Sequence, residues 1–183
     1  KLVNNGSQEY SVIRAGRISI GNAYAGGSVT GIGSKVGGFI GTYAYTNNTL
    51  GTGTRFKDVS HNLNNIYATG QVTADGGALV GYRSLNTTYK NAYYWPSTGN
   101  GSAAATSCAQ CMSASSIPDI SGVSAFEFKS AVAQVKDTDI TLKDQLNSNI
   151  AASSAALLNS KVSSNWVEIE HTMNNATYKI PSL

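Results

Sequence analysis

Cys108 and Cys111 stand as Cys-Ala-Gln-Cys, the spacing of a redox dithiol, half a zinc site or a local disulfide. A redox pair needs a helix N-terminus to stabilise the thiolate, and the strand pattern that should precede it is absent. Zinc needs two further ligands, and only His61 and His171 offer a ring nitrogen, both far away in the chain. The pair is read as a candidate disulfide in a secreted loop, with free thiols, metal and redox roles as the alternatives. Carboxylate pairs are few. Asp137 and Asp139 resemble part of a calcium loop but lack the following glycine and the distal Glu. Glu168 and Glu170 would share one face of a strand, beyond a buried Trp166-Val167-Ile169 stretch. A glycosidase needs two carboxylates converging in a cleft, and the first half of the chain offers only Glu9, Asp58 and Asp75.

Gly31-x-Gly33 and Gly51-x-Gly53 lack the third glycine and the Gly-Lys-Ser/Thr of a phosphate loop. Neither G-x-S-x-G nor H-E-x-x-H occurs, and both histidines read as surface residues. No catalytic residue, cofactor or metal is assigned, and the chain is read as a non-enzyme. The aromatic residues are the stronger candidates. Tyr43, Tyr45, Tyr82, Tyr94 and Trp95 are possible binding residues, since aromatic rings on an exposed wall stack on sugar rings. The competing reading is that such rings pack in a core.

The elements that must position these residues are set by an unusual composition. Of 183 residues, only 13 are Lys or Arg and 10 Asp or Glu, whereas Ser, Thr and Asn together number 56. A net charge of +3 is too small and dispersed for a nucleic-acid surface, and no apolar run reaches the roughly 20 residues of a membrane span. Eighteen of 19 glycines and nine of ten tyrosines lie at or before Gly101, with eight Lys/Arg and three acids. Ser102 to Leu183 carry five Lys, seven acids and 13 of the 21 alanines. The expected division is a repeat region at 1–101, a Ser/Ala-rich linker with the cysteines at 102–123 and a cap at 124–183. A start at Lys1 leads to the expectation of a processed or trimmed chain. Five sequons, at Asn5, Asn47, Asn86, Asn100 and Asn175, are what a chain so rich in Asn, Ser and Thr produces by chance.

The first half repeats itself. Asn22-Ala-Tyr24, Asn65-Ile-Tyr67 and Asn91-Ala-Tyr93 match at spacings of 43 and 26. AGGSVTG (25–31) aligns with ATGQVTA (68–74), the latter containing Gly70. VGGFIG, containing Gly37, Gly38 and Gly41, aligns with GGALVG, which carries Gly76, Gly77 and Gly81. Such short β-branched and aromatic pieces bracketed by glycine cannot bury an apolar face alone, and stacked rungs would bury it as a continuous core. The expected fold is mainly β, a β-solenoid or β-helix-like repeat region with a mixed α/β cap holding one or two short helices. Ala44 to Arg55 reads as an inserted loop.

These units resemble the GLUG motif of bacterial secreted and surface proteins. Asn65 to Gly70 (NIYATG) and Gly77 to Tyr82 (GALVGY) match its Asn-Cys/Ala-Tyr-Ala-Thr-Gly and Gly-Gly-Leu-Val-Gly-Tyr blocks. GGFIG at 37–41 matches more loosely, and NAYYWPSTGN (91–100) is similar to the segment that closes such arrays. FEFKSAV (126–132), LKDQLN (142–147), Trp166 and YKIPSL (178–183) resemble the C-terminal block of Bacteroidetes members. Ala or Ile stands where the family carries Cys between Asn and Tyr. The resemblance implies a secreted or cell-surface structural or adhesion module, meeting glycans, proteins or further copies of itself. The alternatives are a self-assembling fibre subunit, in which open solenoid ends or the terminal strand Thr177 to Ile180 pair with the next copy, and a carbohydrate-active enzyme using Asp58, Asp75, Lys57 and Arg83.

In the cap, Ser124-x-x-Glu127 has the pattern of a capping box and predicts a helix from about Ala125 to Lys136. Thr141 starts a second, with Leu142, Leu146 and Ile150 on one face. Two strands, Trp166 to Glu170 and Thr177 to Ile180, are joined at Asn174-Asn175, and Pro181 is expected to stop the last.

Overall fold

The computed structural model describes residues 2–5, 8–11, 18–32, 36–42, 61–72, 76–82, 87–97, 122–152, 165–173 and 175–183. Strands β1 (Leu2–Asn5) and β2 (Gln8–Ser11) form an antiparallel pair. The repeats supply β3 (Ile18–Ala25), β4 (Ile40–Thr42), β5 (His61–Ala68), β6 (Val80–Tyr82) and β7 (Thr87–Tyr94). Then follow β8 (Val123–Lys129), β9 (Val132–Val135), helix α1 (Leu142–Ala152), β10 (Val167–Met173) and β11 (Ala176–Ser182).

Equivalent residues of the repeats stack in parallel, as their alignment requires. Tyr24 lies opposite Tyr67, and Tyr67 opposite Tyr93. The second block repeats likewise, with β4 parallel to β6 and a bridge from Gly37 to Gly77. Glycine is needed there because a Cβ on Gly37 would collide with the Ile40 carbonyl oxygen and the Gly81 amide nitrogen.

Each repeat strand bends at its asparagine. Asn22, Asn65 and Asn91 have φ of 50°, 57° and 53°, the left-handed region that Asn tolerates better than other side-chain-bearing residues. They drop out of the pairing between Gly21↔Asn64↔Lys90 and Ala23↔Ile66↔Ala92. The bend resets the alternation of faces. Leu63 and Ile66, an odd number of residues apart, therefore enter the same core. That core, with Ala68, Tyr89 and Ala92, packs on Leu79 and Val80. Tyr67 and Tyr93 join a second core with Phe126, Ala133, Leu142, Leu146 and Trp166.

The β-solenoid expectation is corrected. One seven-stranded sheet, ordered β10-β11-β9-β8-β7-β5-β3, runs from the repeats into the C-terminal residues and curls into a half-barrel. The stacked repeats are its parallel half. It continues because the segment expected to be helical, Ala125 to Lys136, is instead the hairpin β8–β9. Phe126, Phe128, Val132 and Val135 favour extended backbone, and Ser130-Ala131 makes a two-residue turn with φ of 48° and 64°. The capping-box pattern is overridden by this packing. Among the described residues α1 is the single helix, started by Thr141, whose Oγ1 accepts from the Asp144 amide at 3.1 Å. In the hairpin β10–β11 Met173 pairs with Ala176 and Asn175 takes a φ of 62°, while Asn174 lies outside the described residues. Pro181 does not stop β11, which runs to Ser182. Pro181 pairs with Glu168, and parallel pairing with β9 is confined to Lys179↔Val132, so the missing N–H breaks no ladder.

Candidate functional site

The polar side chains that the repeats share meet at a row of amides. Asn65, 2% exposed, donates from Nδ2 to Asn22 Oδ1 at 2.6 Å and to the Leu146 carbonyl of α1 at 3.1 Å. Its Oδ1 accepts from Asn149 Nδ2 at 3.0 Å, and Asn149 also donates to the Tyr93 hydroxyl at 3.1 Å. Gln145 Nε2 donates to Asn149 Oδ1 at 3.0 Å. A backbone carbonyl can only accept, so Leu146 fixes which end of the Asn65 amide is nitrogen. Every other amide orientation follows. Asn149 must present nitrogen to Asn65, and Asn22 must present oxygen. The Nδ2 of Asn22 is left buried without a hydrogen-bond partner. Asn91 does not join this row; its Nδ2 donates to Asn64 Oδ1 at 3.2 Å instead.

Beside the amides runs an aromatic stack. Tyr24 and Tyr67 lie parallel, 5.4 Å between centroids and 9° between planes. Trp166 meets both, at 6.1 and 5.7 Å, and Phe126 meets Tyr67 edge-on. The hydroxyls reach across the half-barrel: Tyr67 donates to the Pro181 carbonyl, and Tyr24 shares a hydrogen bond with Ser182 at 3.3 Å. Burial pushes the Tyr67 hydroxyl well above the ordinary tyrosine value, with a smaller push from Tyr24. Burial also raises Tyr93, against the bond from Asn149, and raises Tyr94.

The binding aromatics expected from sequence divide. Trp95 is half-buried against Phe128 and Tyr178, at 4.9 and 5.9 Å. Tyr94 is half-buried on the opposite core. Tyr82 pairs with Thr42 on β6, and Tyr43 and Tyr45 lie outside the described residues. Tyr24 is 37% exposed; among the described residues β3 ends the sheet and no stacked ring covers the outer side of Tyr24. Gly70 is buried and its absent Cβ admits the Gly27 carbonyl. Gly38, Gly76, Gly77 and Gly81 are buried, and Gly41 is exposed on β4.

Cys108 and Cys111 lie outside the described residues, as do Asp58, Asp75, Lys57 and Arg83. Glu168 and Glu170 are exposed on β10. Val167 and Ile169 are not buried as expected but 53% and 37% exposed, because the core beneath is filled by Trp166 and Ile180. His171 is half-buried, with its ring close to Gly26. Asp139 and Glu127 lie 4.0 and 3.6 Å from the Lys129 ammonium, an exposed cluster worth little. Among the described residues no three His, Cys, Asp or Glu groups converge as a metal site, and no helix is long and apolar enough to cross a membrane.

Asn149 is the participant that sequence reasoning missed. It lies seven residues after Leu142 and three after Leu146, on the buried stripe of α1. A polar residue at that phase signals a bonded core position. No family model matches the chain, and no curated protein or solved structure matches it.

Proposed function

We propose that the chain is a non-catalytic structural or adhesion module of a secreted or cell-surface protein, of the GLUG-repeat kind its motifs resemble. The observation that carries this reading is the amide row of Gln145, Asn149, Asn65 and Asn22. The most repeated polar side chain of the sequence bonds to its own counterpart and to α1, so it orders the sheet. Low charge follows from the same role, since neutral amides stack rung upon rung without repulsion. The surface such a module offers to a glycan includes the outer face of Tyr24 beside Ser182, an aromatic platform next to a hydroxyl.

A glycan array probed with the whole chain and with Tyr24→Ala tests adhesion. Binding lost in Tyr24→Ala and retained in Glu168→Gln supports the reading. Absence of binding above background sinks the glycan part. Of the two pairings the fibre alternative offered, the one through Thr177 to Ile180 is taken, because those residues lie between β10 and β9; among the described residues the seven-stranded sheet ends at β3 and β10.

A further inference from the structure

We propose that the C-terminal hairpin β10–β11 is a strap that opens as a unit about Trp166 while the rest of the half-barrel stays folded. The hairpin is bound more closely to itself than to the body. Its two strands pair along their whole length, from Val167↔Ser182 to Met173↔Ala176. Among the described residues, its backbone meets the rest of the sheet only at Lys179↔Val132, where the Lys179 amide donates to the Ala131 carbonyl at 2.7 Å. The junctions from β9 through β8, β7 and β5 to β3 each pair over several residues. Side chains supply the remaining attachment. Tyr67 donates to the Pro181 carbonyl, and Tyr24 shares a hydrogen bond with Ser182. Ile180 and Met173 are buried, Tyr178 is half-buried on Phe128 with 4.3 Å between centroids, and the His171 ring lies beside Gly26. Against these stand Val167, Glu168, Ile169 and Glu170, all exposed. A segment with few buried apolar side chains and little backbone pairing to its neighbours opens at lower free energy than the core.

Helix α1 sets the position of the hinge. Asn147 holds Trp166 by both backbone groups: the Trp166 amide donates to Asn147 Oδ1 at 2.8 Å, and Asn147 Nδ2 donates to the Trp166 carbonyl at 3.0 Å. The Trp166 ring is buried against Tyr24 and Tyr67. Trp166 therefore belongs to the body, and the exposed Val167 is the first residue free to swing. Opening uncovers the Tyr67 hydroxyl and the side of β9 at Val132. It spares the amide row, whose hydrogen bonds run among β3, β5, β7 and α1. The device is independent of glycan binding.

Native-state hydrogen exchange of the full chain, followed residue by residue in NMR spectra, tests the strap. The bonded amides of β10 and β11 should share one opening equilibrium and exchange faster than those of β5 and β7, since a released two-stranded hairpin scarcely protects itself in water. Their exchange should also rise less steeply with urea, because less surface is uncovered. Two substitutions separate the strap from global unfolding. Thr141→Ala removes the cap of α1 and no bond to the hairpin. It should speed exchange in β5 and β7 about five-fold and leave β10 and β11 unchanged. Tyr67→Phe removes the bond to Pro181 and should speed exchange in β10 and β11 about five-fold. Hairpin protection equal to that of β5 and β7, acceleration of β10 and β11 by Thr141→Ala, or a Tyr67→Phe hairpin exchanging at the parent rate would each overturn the proposal.

Discussion

Asn65 does three things at once, and each depends on a different property of asparagine. Its left-handed backbone makes the bend, its Nδ2 joins β5 to β3 and α1, and its Oδ1 receives Asn149. Alanine would keep none of them. The left-handed conformation costs an alanine about 1 kcal/mol, and stranding Asn149 and Leu146 adds about 2 kcal/mol. Asn65→Ala should therefore lose about 3 kcal/mol in urea denaturation, and Asn65→Gly should recover about 1 kcal/mol of that by relieving the backbone alone. Equal losses would mean that the bend carries no strain. The repeated asparagine was visible in the sequence as a periodic residue. Its hydrogen bonds were not, because the partners Asn149 and Leu146 lie more than 80 residues away on a helix.

Among the elements, the hairpin β8–β9 shows where local sequence signals mislead. Ser124, Glu127 and the apolar residues after them imitate a helix start, and nothing local reveals that β7 offers an edge to pair with at Ala92↔Val123. Its turn is poorly suited to its own geometry. Both Ser130 and Ala131 take positive φ, a two-residue turn that favours Asn-Gly. Ala131 is exposed, so nothing is lost in packing. Ser130→Asn with Ala131→Gly should raise stability by about 1 kcal/mol, read from the denaturation midpoint. Helix α1 was legible because its signals are local. Thr141 caps it and Leu142, Leu146 and Ile150 share a face. Thr141→Ala should cost about 1 kcal/mol. The Thr141 side chain, and then Lys143, hold the Asp144 carboxyl below the usual aspartate value. A lowered folded value stabilises at pH above the unfolded value, and that contribution is lost as pH falls through the folded one. Thr141→Ala should accordingly flatten the acid limb of the stability profile. The parallel pairing of repeats was likewise readable from their alignment. The curl was not, since it depends on which strands α1 and Trp166 draw together.

At the scale of the whole molecule, the curl gives the two compositional halves a shared aromatic core. Tyr67 belongs to the repeats, yet Phe126 and Trp166 cover its ring and Pro181 accepts its hydroxyl. Tyr93 is buried in the same core. Their hydroxyls ionise above the ordinary value of 10.0 chiefly because burial disfavours the phenolate. A folded value raised above the unfolded one gives stability that is complete below the unfolded value and is lost as pH rises through the folded one. The unfolded chain releases these protons from about pH 10 upward while the folded chain retains them. Alkaline titration should thus show the part of the tyrosinate absorbance that belongs to Tyr67 and Tyr93 rising together with the loss of far-ultraviolet circular dichroism. Tyr67→Phe separates the contributions. It should lose about 1 kcal/mol at neutral pH with the bond to Pro181. Its stability should then fall less steeply in alkali, by up to about 1.4 kcal/mol per pH unit, because one coupled proton is gone. Repeats unfolding before the C-terminal strands, or Tyr67 ionising at an ordinary value with the sheet intact, would show that the half-barrel does not seal its aromatic core.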